Sequence, residues 1–321
     1  MRFCCVELMA CILLVGTGAG HAQQAYPVKS ITLILPYAPG GSTSALGYLI
    51  RQKLADSLGQ QIVIVHRPGG SATIGADTVA KAPPDGYTLA LVTATHVISP
   101  MFIPVAYDAI KDFTAIAPIS NAEVVLAAHP SFPAKQLKDL IVIAKARPGQ
   151  INYATASFGS PSHLAAELFS MRVGIRMQNI AYKGGAPAVT DLLGGQVELM
   201  FGNPINVVTH VHDGRLKALS ISGKRRLPSM PNVPTFDEGG VENFDVGFWL
   251  GLVAPVGTPR PIVDKWAVAV KRILALPDIK AKMEAMGSEP YFASPDEFAA
   301  RMQADAEKYA NVIKQRNIRL K

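Results

Sequence analysis

Short apolar runs rich in β-branched residues alternate with longer amphipathic ones along most of the chain. "SITLILPYA" (30–38) and "QIVIVHRP" (61–68) are Ile- and Val-rich and stop at Pro, which predicts buried strands. Between them the apolar positions of 43–58 recur at helical spacing, so 30–68 is predicted to be a β-α-β unit, and such a unit implies a parallel sheet. The theme returns in "GADTVAKAPPDGYTLALVTAT", with a helix over 74–81, a Pro-Pro-Asp-Gly turn and a strand over 87–93. A second strand and helix series runs from "LKDLIVIAKARPG" to "LKALSIS". From "FDVGFWLGLVAPVGTP" onward the pattern is mostly helical and ends in a charged amphipathic segment over 295–316. Two such α/β series predict two domains with a cleft between them. In folds of this kind ligands settle at the carboxyl ends of parallel strands, where helix N-termini converge.

Several predicted strand-to-helix turns have the composition for that task. In "LPYAPGGSTSALGYLI", Gly40 and Gly41 let the backbone approach a ligand, while Ser42, Thr43 and Ser44 bring hydroxyls to the first helical turn. Exposed amides and the helix dipole there make an anion site, although the same residues also serve as an ordinary cap. "ATASFGSPSHLAAELF" repeats the logic: a strand ends near Thr155, and Ser157, Gly159, Ser160 and Ser162 precede or open a helix. Pro161 suits its first turn, where no amide partner is needed. Smaller candidates are Thr93 and Thr95 at a strand end, Tyr182, Lys183 and Gly184 in "YKGGAP", and Phe201, Gly202 and Asn203 in "FGNP". Lys183 either neutralises a carboxylate or extends into solvent.

The N-terminus has the features of a leader. Arg2 precedes an apolar run over 11–15, and "AGHA" places Gly20 and Ala22 at the small-residue positions of a signal-peptidase site, so cleavage is expected near Ala22. Cys4, Cys5 and Cys11 all fall inside that leader. The mature chain then has no thiol, which excludes disulfides, thiolate catalysis and Cys-based metal sites. A length of 321 residues, 49% of them apolar, allows a full core. The net charge of +7 is scattered among acidic residues, and its densest run, Lys224, Arg225 and Arg226, lies beside prolines. That pattern fits a solvated loop better than a nucleic-acid stripe, while a diffuse positive field favours an anionic ligand.

Catalytic signatures are weak. The Gly-Gly-Ser-Thr turn lacks the second Gly of a nucleophile elbow and the Lys of a phosphate loop. The chain has no His-Glu-x-x-His helix, and His210 and His212 form a His-x-His pair with no evident third ligand. An exported hydrolase or transferase using Ser42 or Ser160 with His163 stays open as an alternative, as does a polyanion-binding protein.

"YPVKSITLILPYAPGGSTS", "RPGGSATIGADTVAKAPPDGYTL", "NYATASFGSPSHLAAELF", "AYKGGAPAVTDLLGGQVELMF" and "MPNVPTFDEGG" resemble, in order and spacing, the substrate-binding receptors of tripartite tricarboxylate transporters, the Bug family. The similarity spans essentially the whole mature chain. It implies a type II periplasmic binding fold, with two α/β domains containing mixed sheets and joined by two crossover strands near 121–127 and 244–253. After a leader over 1–22, one domain is expected from 23–123 with 249–321 and the other from 124–248.

The resemblance also implies a non-enzymatic, monomeric periplasmic receptor with no cofactor, metal or nucleic-acid partner. It would pass a small di- or tricarboxylate or aromatic acid to the membrane subunits of such a transporter. By the same resemblance the turn of Tyr37, Ala38, Pro39, Gly40, Gly41, Ser42 and Thr43 and that of Ser157, Phe158, Gly159, Ser160 and His163 grip a ligand carboxylate. Three positions depart from the family pattern: Ser44 replaces the usual Asp, Tyr48 the usual Arg, and Val65-His66 the usual Glu-Asn. Loss of the acid at 44 makes a plain carboxylate a better expected ligand than an amino acid.

Overall fold

The computed structural model describes residues 26–244 and 246–316. The expected leader and its three cysteines lie outside them. Among the described residues, no helix is long and apolar enough to cross a membrane.

The chain builds two sheets. The first contains β1 (Ile31–Leu35), β2 (Ile62–His66), β3 (Thr88–Thr93), β4 (Phe113–Glu123), β10 (Gly247–Pro255) and β11 (Glu289–Pro290), in the order β11-β4-β10-β3-β1-β2. The second contains β5 (Val125–Ala128), β6 (Asn152–Thr155), β7 (Gln178–Ala181), β8 (Leu199–Gly202) and β9 (Lys217–Ile221), in the order β7-β6-β8-β5-β9. Each sheet has a parallel trio, β2-β1-β3 and β7-β6-β8, flanked by antiparallel partners. The chain passes from the first sheet to the second between Glu123 and Val125, and returns through Val246 into β10. The result is two α/β domains with mixed sheets joined by two crossovers.

Local sequence explains the elements that position the cleft. Helix α1 (Ser42–Leu58) buries Leu46, Ile50, Leu54 and Leu58, four aliphatics spaced one turn apart. Each contributes on the order of 1.5–3 kcal/mol against exposure. Gly59 ends the helix in the left-handed region at φ 73° and donates its N–H to the Ala55 carbonyl, as a glycine cap does. Trp266 from α8 (Arg260–Leu274) is buried in the same cluster. In the second domain, β8 alternates: Leu199 and Phe201 join the core cluster around Tyr153 and Phe169, while Met200 joins the cluster on the opposite face. That is the period of two of a strand with both faces covered.

The remaining helices are α2 (Thr73–Ala80), α3 (Thr95–Ile98), α4 (Leu137–Ala146), α5 (Pro161–Arg172), α6 (Gly185–Leu193), α7 (Pro204–His212), α9 (Pro277–Ala285) and α10 (Pro295–Arg316). Helices α1, α5, α6 and α7 each follow a parallel strand, so their N-termini share the crevice at the carboxyl ends of the two trios.

Candidate functional site

The two domains meet tightly at this crevice. The Ala38 N–H donates to the Lys183 carbonyl at 2.9 Å, joining the turn after β1 to the turn after β7. Gly40 adopts φ 89°, and a Cβ there would stand 3.2 Å from the Ala186 Cβ; one on Gly41 would stand 3.4 Å from the Gly185 nitrogen. Glycine at these positions lets two backbones approach without side chains between them. Phe102 of the first domain packs edge-on against Phe158 of the second, ring centroids 5.1 Å apart.

Between the domains lies a cleft of about 450 Å³, measured out to its open mouth. The first domain supplies Tyr37, Gly41, Ser42, Thr43, Thr93 and Thr95, and the second supplies Ala156, Ser160, Pro161, Ser162, Gly185, Met200, Asn203 and Asn206, with Phe248 at the start of β10. Among the described residues, no Asp, Glu, Lys, Arg or His lines it.

The wall offers free backbone donors. Helix α1 has no side-chain cap, and the amides of Ser42, Thr43 and Ser44 have no partner among the described residues. At α6 the amides of Gly185 and Ala186 are likewise uncommitted. At α5, Pro161 has no N–H, and Ser160 Oγ accepts the His163 amide at 3.4 Å, which leaves the Ser162 amide. Ser162 is 1% exposed, and its Oγ has no partner. Unpaired donors of this kind are costly when buried and dry. At helix N-termini they add to the positive end of the dipole. The wall therefore presents main-chain and hydroxyl donors to an anion, with no cationic side chain among the described residues.

The Tyr37 hydroxyl sits 2.6 Å from Thr93 Oγ1, and its pKa is raised by burial, so it remains a protonated donor. Its backbone is braced by His66, whose Nδ1–H donates to the Tyr37 carbonyl at 2.9 Å. His66 Nε2 is 3.5 Å from the Tyr48 hydroxyl. Two of the positions that depart from the family pattern thus meet in space and buttress the Tyr37 turn. The third, Ser44, is buried behind that turn and accepts the Gly40 N–H at 3.2 Å.

Of the other residues expected at the site, Ser157, Tyr182 and Lys183 line an adjoining crevice of about 210 Å³ with Pro36 and Ala72. The Tyr182 hydroxyl donates to Asp191 at 2.7 Å, and Lys183 is exposed. Ala38, Pro39, Gly40, Gly159 and Gly184 shape the turns without lining the cleft. Phe158 packs on His163, and Phe201 and Gly202 are buried beneath the wall. Gly185, Met200, Asn206 and Phe248 line the cleft although sequence reasoning did not single them out. Gly185 belongs to the "YKGGAP" turn that was recognised, but Met200 and Phe248 look like ordinary strand residues.

The alternative of a Ser-His nucleophile is not supported. Ser160 Oγ donates to the Ser157 carbonyl at 2.6 Å, and His163 Nδ1 accepts the Gly159 amide at 3.3 Å, so the two side chains do not address one another. Burial pushes the His163 imidazole down to about 4. His210 and His212 lie at the end of α7, where His212 Nε2 donates to the Ser229 carbonyl at 2.6 Å. No group of three potential metal ligands exists among the described residues. In the basic run, Arg225 and Arg226 are paired with Glu289 and Glu238.

Two mixed α/β domains, two crossovers and a cleft ringed by helix N-termini define a solute-binding protein of the periplasmic type. Residues 48–318 match the tripartite tricarboxylate transporter family receptor, and the chain belongs to that family. It is 33% identical to Protein BugT of Bordetella pertussis over 97% of this chain and 96% of that one. Among solved structures it resembles R. palustris Rpa4515 with adipate, at TM-score 0.89 and 31% identity, covering 92% of this chain and 99% of that one. It also resembles MatC from Rhodopseudomonas palustris with bound malate, at TM-score 0.85 and 34% identity, covering 90% and 100%.

Proposed function

We propose that the protein captures a small organic carboxylate in the interdomain cleft and delivers it to the membrane subunits of a tripartite tricarboxylate transporter. The observation that carries this reading is the set of uncommitted amides at the starts of α1, α5 and α6, with the buried, unpartnered Ser162 hydroxyl among them. A charge-assisted hydrogen bond is worth about 1.5–3 kcal/mol and a partly buried helix N-terminus up to about 2. A few of them reach the roughly 8 kcal/mol of micromolar binding. The acids bound by the two R. palustris relatives support the ligand class.

Such a grip leaves no buried cation when the domains part, so release needs no compensating charge. Ligand bound by both domains at once favours the closed form, in which Ala38 meets Lys183. The protein acts as a monomer in the periplasm after removal of a leader near Ala22, and binds without turnover. A thermal-shift screen of mono-, di- and tricarboxylates, aliphatic and aromatic, tests the reading. A hit raises the melting temperature with concentration and is recovered unchanged. No shift with any acid, or conversion of the hit to product, would overturn it.

A further inference from the structure

Two side chains of the second domain belong to the packing of the first. Along α5, Ala165, Ala166 and Phe169 join the second domain's own core cluster, together with Tyr153 and Phe201. Leu164, one position before them, is 0% exposed and belongs instead to a first-domain cluster that contains Ile34, Val92, Val97 and Ile98. Along α7, Val207 and Val208 join a cluster with Val125 and Met200 of the second sheet, whereas Ile205 packs against the first-domain cluster that contains Leu46, Ile50 and Trp266. Asn203 fixes the start of α7, its Oδ1 accepting the Ile205 N–H at 3.1 Å. The approach there is close: Gly287 of the first domain adopts φ 74°, and a Cβ on it would stand 2.6 Å from the Pro204 Cβ. Neither Leu164 nor Ile205 lines the cleft, although their neighbours Ser162 and Asn206 do.

Parting the domains would return both side chains to water, and the lost apolar burial opposes that movement. No ligand group takes part in this contact. Closure therefore has an apolar driving force of its own, to which the fully buried Leu164 contributes more than the half-buried Ile205.

We propose that Leu164 and Ile205 are positioning residues that hold the two domains together before a ligand arrives, so that affinity is set partly by a contact no ligand touches. The effect on affinity rests on the receptor reading above; the effect on domain closure does not. Apparent affinity scales with the population of the binding-competent form. Weakening this contact should then weaken every ligand by one common factor.

The test is small-angle X-ray scattering of the ligand-free protein, beside calorimetry with adipate, malate and the acids found by thermal shift. Leu164→Ala should enlarge the radius of gyration of the ligand-free protein and weaken each acid that binds by the same factor, about tenfold. Ile205→Ala should move both readings in the same direction by less, about threefold in affinity. Leu140→Ala is the control for a purely structural role: Leu140 is 0% exposed within the second domain's own core, so its truncation should lower the melting temperature and leave scattering and affinity near the wild-type values. Ligand-free scattering shared by Leu164→Ala and the wild type overturns the inference and leaves the receptor standing. A Leu164→Ala penalty that differs by more than about threefold between acids also overturns it, because the side chain would then act on the ligand rather than on closure. Binding of no acid at all overturns the receptor reading alone, and the scattering comparison still decides the inference.

Discussion

The turns that open α1 and α5 hold equivalent places, each leaving a parallel strand at the cleft, yet their backbone donors are committed differently. Helix α1 starts at Gly41 with no side-chain cap and three free amides. Helix α5 starts at Ser160, which caps it, and Pro161, which has no amide, leaving one N–H and one hydroxyl at Ser162. Of the two turns, the one opening α1 keeps more free main-chain donors. A helix that leaves its own start unsatisfied requires something else to satisfy it.

The sharpest way to break this comparison is Ser42→Pro. Proline is well tolerated at the first helical position, and Gly41 before it already has the extended ψ of −176° that proline prefers. The change removes one amide and one hydroxyl while keeping the helix. The loss of two charge-assisted bonds should weaken carboxylate binding by about 3–6 kcal/mol, measured by calorimetry with an acid identified by thermal shift.

The α5 turn is also the acid-sensitive one. His163 lies inside it and His96 is buried in the first domain; burial lowers each from an ordinary value of 6.5 to about 4. Below pH 6.5 the unfolded chain takes up protons that the folded chain refuses, so stability falls as pH drops from 6.5 toward 4. The full effect is on the order of 3 kcal/mol per histidine. Chemical denaturation across that range should show the loss, and His163→Gln should remove about half of the slope. An unchanged slope in that variant would place the proton uptake elsewhere.

Ser162→Ala deletes the buried, unpartnered hydroxyl that lines the cleft at the start of α5 and should cost about 1.5 kcal/mol of affinity, clearly less than Ser42→Pro. An equal or larger loss would reverse the ranking of the two turns. Glu289→Gln should do least. Its ion pair with Arg225 spans the domains at 2.7 Å, but the side chains are 57% and 82% exposed, and such pairs are worth about 0–1 kcal/mol. Ligand affinity should move by about twofold or less.

Much of the first turn was legible in the sequence because strand, glycine pair and hydroxyl run are contiguous. Gly41, Ser42 and Thr43, singled out from that local pattern, line the cleft, and so does Tyr37, which the family resemblance named. Residues flanking the same motifs went astray for reasons of periodicity. Phe201 belongs to a motif at a strand end, but the alternation of β8 sends it into the core and turns Met200 to the cleft. Ser44 follows three residues that suit an anion site, yet the helical turn directs its hydroxyl back to the Gly40 amide. Phe248 reaches the cleft only because the return crossover carries it there, a placement no local pattern encodes. The spatial pairing of Tyr48 with His66, 18 positions apart, needed the sheet register to appear.

The central claim is that a carboxylate is held by the uncommitted amides at the helix starts. Amide proton shifts of ¹⁵N-labelled protein, titrated with an acid identified by thermal shift, test it most directly. The account predicts downfield shifts concentrated at Ser42, Thr43 and Ser162 on saturation, with the committed amides of Ile205 and His163 moving much less. Saturable binding that leaves Ser42, Thr43 and Ser162 unmoved would contradict it.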